Sequence, residues 1–133
     1  MKKISLLVFL IFTSNSYASE LSGEHDKCMK SAVTNKNFGT CNEIEINYQE
    51  KRLTKAWSDI STEIKETSLN AYKELLSEQR LWIKYKESAC NYFLAENNGL
   101  PAFGQEGVHL HYGSCKASII ADRVKYLTNT LPN

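Results

Sequence analysis

Little in this chain interrupts a helix. Its 133 residues include only two prolines and six glycines, and both prolines, Pro101 and Pro132, sit where a loop or a tail is expected. Charge of one sign is not in excess, with 16 Lys and Arg against 15 Asp and Glu. That balance argues against a nucleic-acid binder, which would show a basic stripe to neutralise phosphates. No HExxH, no serine in a nucleophile elbow and no glycine-rich phosphate loop ahead of a helix occurs. No CxxC opens a zinc site either. Long apolar runs are missing beyond Ile4 to Phe12, which falls well short of the roughly 20 residues that cross a bilayer. These absences argue against an enzyme, a nucleic-acid partner, a membrane span and any bound cofactor.

What the sequence does contain is an export leader followed by four cysteines. Lys2 and Lys3 precede the apolar run, and Ser16-Tyr17-Ala18 offers small residues at the positions a signal peptidase reads. Cleavage near Ala18 is expected, so residues 1–18 read as a signal peptide and residues 19–133 as one domain. Loss of Lys2 and Lys3 leaves 14 basic against 15 acidic residues. A lipid anchor would need a cysteine at the cleavage point, and the first is Cys28, so a soluble periplasmic or secreted product is expected. In such an oxidising compartment an even cysteine count reads as disulfides. Three pairings of Cys28, Cys41, Cys90 and Cys115 are open; Cys28 with Cys41 and Cys90 with Cys115 are favoured because both are local.

The periodicity is helical throughout. Ile46, Leu53, Trp57, Ile60 and Ile64 fall on one face of a helix running from Cys41 to about Glu66. A second run carries Leu69, Tyr72, Leu75, Leu76, Ile83, Cys90 and Leu94; Thr67 or Ser68 caps its start, and it is expected to reach Asn97. The last helix, Ser114 to about Leu131, lines up Ile119, Ile120, Val124, Leu127 and Leu131. A short first helix, Glu24 to Val33, is expected to bury Met29 and Val33, with a turn at Asn35 to Gly39. The fold class is therefore all-α: a compact bundle of about four helices, two of them long and antiparallel, stapled by two disulfides.

One segment is more specific than a helical pattern. Gln79-Arg80-Leu81-Trp82-Ile83-Lys84-Tyr85-Lys86-Glu87-Ser88-Ala89-Cys90 resembles the signature of the LprI-type lysozyme-inhibitor family, Q-R-x-W-x-x-[FY]-R-D-x-x-C. Cys115, Arg123 and Leu127 resemble its closing C-x7-R-x3-L, and Cys28, Cys41, Glu50, Leu53 and Trp57 follow its opening half. Lys86-Glu87 stands for the usual Arg-Asp, Thr54 for Asn, Trp57 for Tyr and Ile120 for Thr. An ammonium at position 86 cannot reproduce the guanidinium fork. The resemblance implies an exported helical protein that binds a protein partner and protects the cell wall by blocking a lysozyme-type glycosidase. An immunity-like or stress-related envelope module with another toxin or wall enzyme as partner is the alternative.

Within this frame Gln79, Arg80, Trp82, Tyr85, Lys86, Glu87, Arg123 and Leu127 read mainly as structural. Arg80 is expected to meet a carboxylate, and Glu87 is expected to pair with Arg123 between helices. The segment Asn98 to Gly113, clamped by Cys90 and Cys115, is expected to form a protruding loop. Its aromatic and imidazole groups Phe103, His109, His111 and Tyr112 are the candidate partner contacts. His109-x-His111 lacks a third metal ligand, and Glu43 with Glu45 reads as helix-start acid favoured by the dipole.

Overall fold

The computed structural model describes residues 21–95 and 104–129. The leader, Phe103 and Leu131 lie outside them. The described chain is helical: α1 (Gly23–Ser31), α2 (Asn35–Thr67), α3 (Leu69–Ser88), a short 3-10 turn at Asn91–Leu94, and α4 (Gly104–Asn129). No helix among the described residues is long and apolar enough to cross a membrane.

The axis of the molecule is α2, whose 33 residues extend about 50 Å. Thr34 starts it with a capping box: its hydroxyl accepts from the Asn37 N–H, and the Asn37 side chain accepts from the Thr34 N–H. Asn35 to Gly39, expected as a turn, is therefore the first turn and more of α2. Gly39 adds only a modest propensity cost inside a helix this long. At the far end Ser68 serves two helices. Its N–H donates to the Ile64 carbonyl to close α2, and its hydroxyl accepts from the Ala71 N–H to open α3. One non-helical residue thus turns the chain into an antiparallel hairpin.

Helix α4 runs parallel to α2. Near its start the Asn42 side chain donates to the Leu110 carbonyl at 3.0 Å. Gly113 is buried, and a Cβ there would stand 3.2 Å from that of Asn42, so a small residue permits the two helices to approach closely. Farther along, Leu53, Ala56 and Ile60 of α2 form the core with Leu75 of α3 and Ile120, Val124 and Leu127 of α4; Ile46, Trp57, Ile64 and Trp82 close its edges. Deleting one of its larger side chains would cost about 2–5 kcal/mol.

Both disulfides take the local pairing, Cys28 with Cys41 and Cys90 with Cys115. The first joins α1 to α2, and it carries much of that attachment because α1 buries no residue of its own. Met29 is 38% and Val33 85% exposed, so the expected burial of both is wrong. Their helix is too short to present a continuous stripe, and Val33 lies beyond its end. The second bond fixes Cys90, the one described non-glycine residue with positive φ, at 69°. A left-handed residue cannot continue an α-helix, so α3 stops at Ser88 and falls short of Asn97. Leu94 ends up 41% exposed.

Candidate functional site

The family-like residues gather where α3 crosses α4. Gln79 and Arg123 are both buried. The guanidinium donates from Nε and Nη2 to Gln79 Oε1 at 3.0 and 2.7 Å, and from Nη1 to Glu78 Oε1 at 2.6 Å. The other oxygen of Glu78 accepts from the Tyr126 hydroxyl at 3.1 Å. The cation also lies over two rings, 5.5 Å from the centroid of Trp82 and 4.8 Å from that of Tyr126. The hydrogen bond to Glu78, then its negative charge, then partial burial hold the Tyr126 phenol above its ordinary pKa, against the pull of Arg123. Glu87 is not the partner of Arg123: it lies nine residues, two and a half turns, beyond Glu78 and faces another direction. Arg80 is exposed and meets no carboxylate among the described residues, because it points away from α2 and α4.

About two turns beyond Gln79, Lys86 donates to Glu50 Oε1 of α2 at 2.7 Å and lies over the Trp82 ring. The point charge that replaces arginine is thus satisfied by a single carboxylate and an aromatic face. Lys116 of α4 donates to the Lys86 and Glu87 carbonyls, so a cation satisfies the exposed carbonyls at the end of α3.

A second polar knot joins α1 to α2. Glu45 is 1% exposed; it accepts from the Ser22 N–H and hydroxyl and from the Gln49 side chain. It is therefore a buried acceptor well inside α2, and the expected role as helix-start acid does not apply.

Between α3 and α4 lies an open cleft of about 230 Å³ lined by Trp82, Tyr85, Ile119, Asp122, Arg123 and Tyr126. Tyr85 is 55% exposed, and Leu81, one turn earlier on the same flank of α3, is 64% exposed. Asp122 is exposed, and neither an ion pair nor a hydrogen bond ties its carboxylate to a described residue.

The expected protruding loop takes a different form. Residues 104–113 are the first turns of α4, and a helix directs neighbouring side chains around its axis. His109 is exposed, the His111 ring stacks on Phe93 with centroids 5.9 Å apart, and Tyr112 is half-buried beneath Lys116. The three do not converge on one tip. No group of three or more His, Cys, Asp or Glu among the described residues could hold a metal ion. Sequence reasoning missed Glu78, Asp122, Ile119 and Tyr126 as site residues. The signal for Tyr126 and Ile119 was available: with Asp122 and Arg123 they follow helical spacing around one side of α4.

A family model described as lysozyme inhibitor LprI matches residues 28–127, a span that holds all four cysteines, the Gln79–Arg123 contact and the cleft. No curated protein and no solved structure matches the chain.

Proposed function

Because this chain belongs to the LprI lysozyme-inhibitor family, we propose that it is an exported envelope protein that binds a lysozyme-type glycosidase and blocks its access to the cell wall. The observation that carries this reading is the family match itself, which spans residues 28–127. Two disulfides and an absence of free cysteines among the described residues are consistent with an extracytoplasmic compartment. The leader-like residues 1–18 add the finer assignment, periplasmic or secreted, with cleavage near Ala18. The family is one of inhibitors, so the role asked of the protein is occupancy and not chemistry.

A lysozyme works through two carboxylates lining an open cleft, and blocking it requires a body whose shape is set before the encounter. Cross-linked helices meet that need, since a pre-organised surface loses little freedom on binding. The test is wall lysis by a panel of lysozymes in the presence of the oxidised mature protein. Loss of lysis near stoichiometry by at least one is expected; undiminished lysis by every member at large molar excess would overturn the proposal.

A further inference from the structure

The two long sides of α3 differ in charge. At about 100° per residue, Glu74, Glu78, Leu81 and Tyr85 share one flank, the one that borders the cleft with α4. Lys73, Arg80 and Lys84 lie around the back of the helix. On α4, Ile119, Asp122 and Tyr126 border the same cleft, and the exposed Lys125 lies about 60° farther around the helix from Asp122, on the side away from Ile119. The cations held against its aromatic residues or behind it are engaged: Arg123 by Glu78 and Gln79, Lys86 by Glu50, and Lys116 by the carbonyls that end α3. The face is therefore aromatic and apolar at its centre, with the carboxylate of Asp122 unpaired among the described residues and with Glu78 and, one turn farther, Glu74 continuing the acidic flank of α3.

From this we infer that the α3–α4 face is the docking surface, and that it takes an arginine or lysine side chain from a basic partner protein. The inference rests on the lysozyme-inhibitor reading for the partner's identity, and on the face alone for its chemistry. A guanidinium stacks on aromatic faces and pairs bidentately with a carboxylate. The protein's own Arg123 is stacked from below over Trp82 and Tyr126, with one nitrogen on Glu78 and two on Gln79. The outer side of the same aromatic group remains open: Tyr85 and Tyr126 are 55% and 46% exposed, and Asp122 stands at the mouth. Aromatic side chains around a central pocket are the usual anchors of a protein interface, with neighbouring apolar groups such as Leu81 excluding water. The unpaired Asp122 commits the occupant to a cationic group, since an acidic one would meet that carboxylate, and Glu78 on the α3 flank beside it, without compensation.

Two probes test the inference on the oxidised mature protein. The first is a short arginine-rich peptide, with an uncharged peptide of equal length as control, titrated while nuclear magnetic resonance follows the Trp82 indole N–H and the Tyr126 ring. The second is a cationic lysozyme in the lysis assay. Both should depend on the face. Asp122→Asn and Tyr85→Ala are each expected to weaken peptide and lysozyme binding about tenfold or more, whereas Arg80→Ala and Ile83→Ser, on the other flank, leave both unchanged. Inhibition that survives every face variant would overturn the docking surface and leave the inhibitor reading intact. Peptide binding at the face without inhibition of any lysozyme would reject the inhibitor reading and keep the surface for another basic partner. A protein whose signals ignore the peptide and whose lysozyme response ignores the face overturns the inference outright. So does sedimentation as a dimer that Leu81→Ser dissociates, which would give the face to a second copy.

Discussion

Arg123 is a cation taken almost wholly out of water, and left unpaired there it would cost several kcal/mol. Gln79, Glu78 and two aromatic rings share the compensation, which gives the family motif a physical reason. The glutamine supplies one oxygen that takes two N–H groups of the fork, and only arginine offers that fork. Arg123→Ala is expected to lower unfolding free energy by about 2–3 kcal/mol, less than a fully buried pair because Glu78 is half in solvent. Arg123→Lys should recover less than half of that loss. Urea denaturation of the three proteins, with unchanged slopes, is the measurement. Tyr126 reports on the same knot. Its phenol is raised by the hydrogen bond to Glu78 and then by that carboxylate's charge, so the neutral form is the one the fold favours. The contact therefore stabilises fully below the unfolded tyrosine value and fades as pH climbs through the folded one. In ultraviolet titration Glu78→Gln should bring this phenol back toward the ordinary range; an unmoved titration would mean that Glu78 is not its partner in solution.

At the scale of elements, the helices hold to the core unequally. α2, α3 and α4 share buried apolar side chains, but α1 has none and depends on Cys28–Cys41 and on Ser22 bonding to Glu45. The loop-entropy model assigns that bond, with a separation of 13 residues, about 3 kcal/mol. Cys28→Ala with Cys41→Ala is expected to free α1 locally: amides of Gly23–Ser31 should lose protection in hydrogen exchange while those around Leu53–Ile60 keep theirs. Loss of protection throughout would show that α1 is integral to the core. The sequence was legible where packing obeys a period. Ile46 through Ile64 all face the core or its edge, because one stripe on a long helix leaves no other solution. Helix ends were harder to read. Thr34 caps through an asparagine at the third position where Glu or Gln is the familiar signal, so the start of α2 passed for a turn. Cys90 terminates α3 in a conformation usually reserved for glycine, and Gly107 and Gly113 lie inside α4, where the second serves close contact with Asn42. The partner of Arg123 depended on the rotation of α3 about its axis. Apolar residues on both sides of that helix, Leu81 and Ile83 among them, left the rotation undecided in sequence.

Over the whole molecule the near-zero net charge conceals a sorted surface, and the two facts govern different stages of an encounter. Net charge acts at long range and sets electrostatic steering. The acidic rim of the α3–α4 cleft acts within about a Debye length, roughly 8 Å at physiological salt. A basic lysozyme is therefore expected to associate at the ordinary unsteered rate, about 10⁵–10⁶ M⁻¹s⁻¹, and to be retained once the rim and the rings engage it. Raising salt from about 0.05 M to about 0.5 M should speed dissociation severalfold, with little change in association, because rim pairs are partly screened while stacked aromatic contacts are not. Surface plasmon resonance across that range separates the two rates. A steep fall in association with constant dissociation would place the attraction in the field of the whole chain, and a balanced count of charges could not generate it. Asp122→Asn sharpens the comparison, since removing the one rim carboxylate at the mouth should flatten the salt dependence of dissociation and leave association where it was.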